Sequence, residues 1–194
     1  MKQNERQVAP TMDGIRKDHR ARYEFAAKAL PKESRVIDFA CGVGYGSKIM
    51  ADAGHFVTGY DIDEEARDYA ARHYQTFRTI YKIANGNAPP DFGEFDAAVC
   101  LETIEHLDDP RPLLKALRAA APLLLCSVPN EAVFPFSPSP GITTEFHFRH
   151  YTRHEFAALL LECGWRATAW HGQEGTDSAV EPNCNGRTLI ALAQ

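Results

Sequence analysis

The sequence predicts an α/β fold, a mostly parallel sheet with helices on both faces. Short apolar runs alternate with amphipathic stretches of helical length along the chain. The first run, Val36-Ile37-Asp38, breaks into a turn with glycines at positions 42, 44 and 46. Strand, glycine turn and helix in that order aim free backbone N–H groups and a positive helix end at the turn. At 194 residues the chain is expected to form one domain, 1–194, with a sizeable core.

Residues 1–12 read as a loose arm. Ile15, His19, Tyr23, Ala26 and Leu30 recur at helical spacing and predict a helix over 13–30, stopped by Pro31. The helix after the glycine turn is expected to run to about Ala53, with Gly54 as its C-cap. Residues 55–61 read as the second strand and 64–74 as a helix capped by Asp61 or Asp63. A third strand falls within 77–84. The apolar run 95–101 fits a central strand buried on both faces. A helix over 111–120 and a strand over 123–128 follow, ended by Pro129-Asn130. The stretch 131–146, EAVFPFSPSPGITTEF, is too rich in proline for helix or strand. With 147–150 it is expected to form a substrate lid at the edge of the sheet. A helix from Thr152 or Arg153 to Gly164 and strands near 165–170 and 188–193 complete the domain, with a polar loop over 172–186.

The charge of −5 shows no basic footprint for nucleic acid. No apolar run reaches the roughly 18 residues of a membrane helix. The polar start, MKQNERQVAPTMDG, lacks the apolar region of a signal peptide, so a cytoplasmic location is expected. Cys41, Cys100, Cys126, Cys163 and Cys184 are odd in number and form no C-x-x-C, which fits reduced thiols.

The glycine turn points to a nucleoside ligand. In the dinucleotide fingerprint G-x-G-x-x-G, Gly42 and Gly44 match the first two positions and Ser47 takes the third. Asp38 beside the turn disfavours a pyrophosphate and suits an ammonium group. S-adenosylmethionine (SAM) carries that ammonium and no phosphate. Asp61, about 20 residues on, is placed to accept both ribose hydroxyls, as NAD or SAM would require.

The segment from Asp38 to Gly46, then Asp61, then Phe95-Asp96 before 101–107 (LETIEHL) resemble the successive motifs of class I SAM-dependent methyltransferases. The likeness covers roughly residues 15–165 and is strongest to enzymes of small molecules and of sugar and glycan pathways. It implies a Rossmann-like fold with a seven-stranded, mostly parallel sheet whose last strand is antiparallel. It implies SAM as methyl donor and S-adenosylhomocysteine (SAH) as product. Arg22, Asp38, Gly42, Gly44, Asp61, Ile62, Asn87, Ala88 and Leu101 fall at its cofactor positions. Arg22 or Tyr23 would close over the SAM carboxylate. Asn87 stands where the family often has an acid for the adenine amino group, and an amide oxygen accepts the same bond.

Glu102, Glu105 and His106 directly follow the fourth strand and would share one face if the segment turned helically. Together they resemble the E-x-x-E-H motif of metal-dependent O-methyltransferases, and His147 falls where the RNA-modifying members carry a further histidine. Three roles are open. Glu102 or His106 acts as general base; the residues hold a divalent cation; or they only steady the turn, with His147 and His150 lining the lid. Glu102, Glu105, His106 and His147 are taken as the catalytic set without a metal, serving an oxygen or nitrogen of a small-molecule acceptor. Tyr45 and Tyr151 are further pocket candidates. The alternatives are a metal-assisted RNA 2′-O-methyltransferase and a SAM-binding protein without catalysis. Ser47 and Asp38 disfavour an NAD(P)-dependent oxidoreductase.

Overall fold

The computed structural model describes residues 7–137 and 146–194. Among these, eight strands form one sheet: β1 (Arg35–Phe39), β2 (Phe56–Asp61), β3 (Thr79–Ile83), β4 (Ala97–Leu101), β5 (Leu124–Pro129), β6 (Ala167–Gln173), β7 (Glu181–Pro182) and β8 (Thr188–Ala193). Their order is β3-β2-β1-β4-β5-β8-β6-β7. Pairings from β3 through β5 are parallel, and β8, β6 and β7 join antiparallel. Five helices accompany them: α1 (Lys17–Ala29), α2 (Tyr45–Asp52), α3 (Glu64–His73), α4 (Arg111–Ala120) and α5 (Arg153–Glu162). This is the Rossmann-like architecture, with one strand more than the seven expected. The extra strand, β7, pairs with His171 and Gly172 inside the stretch read as a plain loop. Two residues, one of them proline, carry no periodicity, and an edge position tolerates the missing N–H.

Side-chain alternation builds two cores. Val36, Ala97, Val99, Leu125 and Ile190 face one way and pack with Tyr23 and Ala26 of α1 and Met50 of α2. Their neighbours Ile37, Ala98, Cys100, Leu124 and Leu189 face the other way, against Leu113 and Leu117 of α4 and Phe156 and Leu160 of α5. The central strand β4 is apolar and buried at every position because both of its faces are covered. Polar caps set the helix starts. Asp63 accepts from the N–H groups of Glu65 and Ala66, and Thr152 with Glu155 forms a reciprocal capping box.

The chain from β1 runs outward through β2 and β3, then returns to β4 on the other side of β1. That reversal opens a crevice beyond the carboxyl ends of β1 and β4. Of the expected loose arm, residues 1–6 lie outside the described residues. From residue 7 the chain is anchored: Ala9 is buried and its carbonyl accepts from Tyr74 Oη at 2.6 Å. Of the expected lid, 138–145 lie outside the described residues. Its two described limbs meet at a parallel bridge between Asn130 and Tyr151. All five cysteines are free thiols, four of them buried. No helix among the described residues is long and apolar enough to cross a membrane.

Candidate functional site

The turn after β1 requires glycine where backbone and neighbours leave no room. Gly44 caps α2 with φ +89°, a left-handed conformation that side chains rarely adopt. A Cβ at Gly46 would lie 2.1 Å from the Tyr23 ring. Beneath the turn Asp38 is fully buried, accepting from Ser47 Oγ at 2.6 Å and from Tyr23 Oη at 3.2 Å. Burial pushes its pKa up to about 7, with a smaller push from Asp61. Ser47, at the departed third glycine position, thus supplies a donor for Asp38.

A cavity of about 860 Å³ occupies the crevice. Of the expected cofactor residues, Arg22, Gly42, Asp61, Ile62, Asn87 and Leu101 line it. Asp38, Gly44 and Ala88 do not. Asp38 shares strand parity with Val36 and points beneath the turn at α1 and α2, where it accepts from Tyr23 and Ser47. Gly44 acts through its backbone, and Ala88 closes the small turn bridged to Asn85.

At the outer end of β2, Asp61 Oδ2 accepts from Gly42 N at 2.8 Å and Oδ1 from Asp63 N at 3.0 Å. These bonds fix the carboxylate at the place expected for a ribose contact. At the α1 end, Arg22 is buried and donates to Gln173 Oε1 at 2.8 Å, with Asp18 Oδ2 at 3.8 Å. His19 Nδ1 lies 3.0 Å from Tyr45 Oη. Burial, then the charges of Arg22 and Arg16, lower the His19 pKa to about 3, so this imidazole is neutral. Gln173 lies 151 residues from Arg22 in the chain, and no local pattern announces the pair.

At the other end stand Glu102, Glu105, His106 and His147, all lining the cavity. The shared helical face expected for the first three does not form. A three-residue 3-10 turn, Ile104–His106, begins after Glu102. Glu102 itself has φ +46°, a sparsely populated backbone for a non-glycine residue. Buried Ser127, which sequence reasoning missed, holds it there. Ser127 O accepts from Glu102 N at 3.2 Å, and Ser127 Oγ donates to Glu102 Oε1 at 2.7 Å.

Glu105 is fully buried, and neither carboxyl oxygen has a hydrogen-bond partner among the described residues. Burial and the Glu102 charge push its pKa well above the usual carboxylate range. The returning segment 146–150 is stitched to this turn, with Phe148 N donating to Glu105 O at 2.7 Å. His106 Nδ1 lies 3.1 Å from Phe146 O. A carbonyl only accepts, so Nδ1 carries the proton and Nε2 the lone pair. The same logic fixes a second imidazole. His150 Nδ1 donates to Phe134 O at 2.6 Å, so its Nε2 accepts from His147 Nδ1 at 2.7 Å. His147 therefore presents its lone pair on Nε2. Burial lowers its pKa to about 3, with help from His106 and His150. Glu105, His106 and His147 each offer an electron-pair donor within 4.8 Å of the others. Such a cluster suits a proton-bearing or cationic guest. Glu102, turned to Ser127, is not among the three.

Comparison with known proteins agrees with this geometry. The family model for a methyltransferase domain matches residues 12–169. A ubiquinone biosynthesis O-methyltransferase of Aromatoleum aromaticum is 39% identical over 88 residues, 42% of this chain and 37% of that protein. A probable S-adenosylmethionine-dependent methyltransferase of Mycobacterium tuberculosis is 31% identical over 144 residues, 71% of this chain and 50% of the relative. The chain thus spans between about a third and a half of the curated relatives it matches. A Thermotoga maritima SAM-dependent methyltransferase, described as a possible histamine N-methyltransferase, superposes with a TM-score of 0.72 at 16% identity, over 91% of this chain and 88% of that one. Glycine turn, sheet order and family match converge, and the chain belongs to the methyltransferase domain family, on the class I fold of the SAM-dependent enzymes.

Proposed function

We propose that the chain transfers the methyl group of SAM to an oxygen or nitrogen of a small-molecule acceptor, with SAH as product. The observation that carries this reading is one cavity joining the Gly42–Asp61 end to the Glu105, His106 and His147 cluster. The residues fit the cofactor: Asp61 for the ribose, exposed Ile62 for the adenine face, Asn87 for the adenine edge, and Arg22 for the carboxylate. When bound, SAM supplies an activated methyl on a sulfonium leaving group. The chain's own contribution is alignment, which is worth roughly 7–11 kcal/mol in well-oriented reactions. For a hydroxyl acceptor it also removes a proton. Glu105 takes that proton, because its oxygens are the polar atoms at the cavity left without a partner among the described residues. Neutral His106 and His147 orient the nucleophile through their Nε2 lone pairs. Relatives named for ubiquinone O-methylation support oxygen as the atom methylated.

A second reading gives Glu105, His106 and His147 a divalent cation, favoured by their spacing within 4.8 Å. One carboxylate and two imidazoles suit a borderline ion. Among the described residues three such ligands meet, and the metal-free reading is preferred.

Calorimetric titration with SAM, SAH and NADH tests the proposal. SAM and SAH should bind, Asp61→Ala should weaken both, and NADH should not bind. A folded protein that binds no SAM overturns it. SAH production that stops on chelation and returns with a divalent ion would move the choice to the second reading.

A further inference from the structure

Two arginines line the cavity at the α1 end, and both face Asp18, Arg16 at 2.6 Å and Arg22 at 3.8 Å. A third, Arg187, lines it beside Thr188, Pro129 and Phe134, on the side of the acceptor cluster. No carboxylate pairs with Arg187 among the described residues. Its guanidinium instead lies over the Phe134 ring, 4.1 Å from the centroid.

Cation and ring share one anchor. Asn130 is fully buried. Its N–H donates to Arg187 O at 2.8 Å, its carbonyl accepts from Phe134 N at 2.8 Å, and its Nδ2 donates to Gly186 O at 2.8 Å. Phe134 O is held in turn by His150 Nδ1 at 2.6 Å. The backbones under both groups are therefore fixed before any ligand arrives, which lowers the ordering cost of binding. A guanidinium held over an aromatic face by its carbon still has N–H donors to offer, and such a fork can grip a carboxylate with two parallel bonds. Glu102, which lines the same cavity and accepts from Ser127, disfavours a second carboxylate at the acceptor end.

We propose that Arg187, shelved on Phe134, recognises the acceptor, and that this acceptor is a small organic acid. Its carboxylate lies at Arg187 and its nucleophilic hydroxyl or amine at Glu105 and His147. This rests on the methyltransferase reading above and adds the class and orientation of the acceptor.

The test uses matched pairs, 3,4-dihydroxybenzoate against catechol and salicylate against phenol, with SAH release as the readout. The wild-type chain should favour the acid of at least one pair by roughly tenfold in kcat/KM, as one charge-assisted contact implies. Arg187→Gln, checked for folding by circular dichroism, should bring that ratio near one, chiefly through KM for the acid. Arg187→Lys should restore part of it, having the charge without the fork. Preference for the neutral member, an unchanged ratio in Arg187→Gln, or SAM binding with no member methylated overturns the proposal while the cofactor reading stands. Failure to bind SAM at all overturns both.

Discussion

Replacing Asp38 with asparagine should flatten one part of the pH dependence of stability. The carboxyl is fully buried under the glycine turn, and burial outweighs the bonds from Ser47 and Tyr23, so its pKa rises from 3.8 to about 7. Tyr23, Tyr45, Tyr81 and Asp61 are the titratable groups that interact with it, and none of them supplies a cation. The sign follows from linkage. Between the unfolded and folded pKa values the native state holds a proton that the unfolded chain has lost, so stability falls as pH rises through that window. A rise of that size corresponds to roughly 4 kcal/mol lost between about pH 4 and pH 7. Asparagine cannot ionise and keeps an oxygen for one of the two donors. Urea unfolding of both proteins without cofactor, from pH 4.5 to 8.5, isolates the effect, because the other titrating groups cancel in the difference. The variant should gain on the wild type as pH rises. A flat difference, or a wild type that gains with pH as an ion-paired carboxylate would, refutes the reasoning.

Other expected outcomes are as direct. Gly46→Ala drives a methyl into the Tyr23 ring, so thermal melting should show a loss of about 1–3 kcal/mol, and an unchanged midpoint would contradict the packing. Ser127→Ala removes the donor that steadies Glu102 in its left-handed backbone. It should lower kcat more than it changes the SAM dissociation constant, and equal effects on both would count against a role at the acceptor end. His150→Phe deletes the acceptor that sets the His147 tautomer. Nitrogen-15 NMR of His147 should then show both neutral tautomers in place of the single form with Nδ1 protonated, and one tautomer in both proteins would refute the relay.

What could be read from the sequence is what local physics dictates. The helix over 111–120 was legible because its leucines recur at helical spacing, and the strand over 188–193 because it is an apolar run of β length between polar residues. A cap at Asp61 or Asp63 was legible because aspartate accepts from free N–H groups at a helix start, and Asp63 takes it. Contacts between distant segments were not legible. Asp38 follows an unbroken apolar pair, so no alternation shows which face it takes until α1 and α2 are in place. Ser127 reads as one more small strand residue until β4 lies beside β5. Glu102, Glu105 and His106 were expected on one face; instead Glu105 and His106 meet His147, and the reason Glu102 stands apart, a left-handed backbone at the strand end, has no signature in residue type. Arg187 precedes an ordinary strand, and only the fold brings Phe134 beneath it.

The bridge at Asn130 and Tyr151 has a consequence for how such a chain changes over time. Glu131 N donates to Tyr151 O at 3.0 Å and Tyr151 N to Pro129 O at 3.2 Å, so the two ends of the segment between are held side by side. A closed excursion of this kind can lengthen or change composition at little thermodynamic cost, about 0.6 kcal/mol for each doubling of length. Mutations within it leave the strand pairings and both cores intact. With this segment in the proposed role of a substrate lid, acceptor choice could then drift under selection while the cofactor end stays as it is. One scaffold can thereby be retuned to new acceptors by exchanging a single stretch of chain.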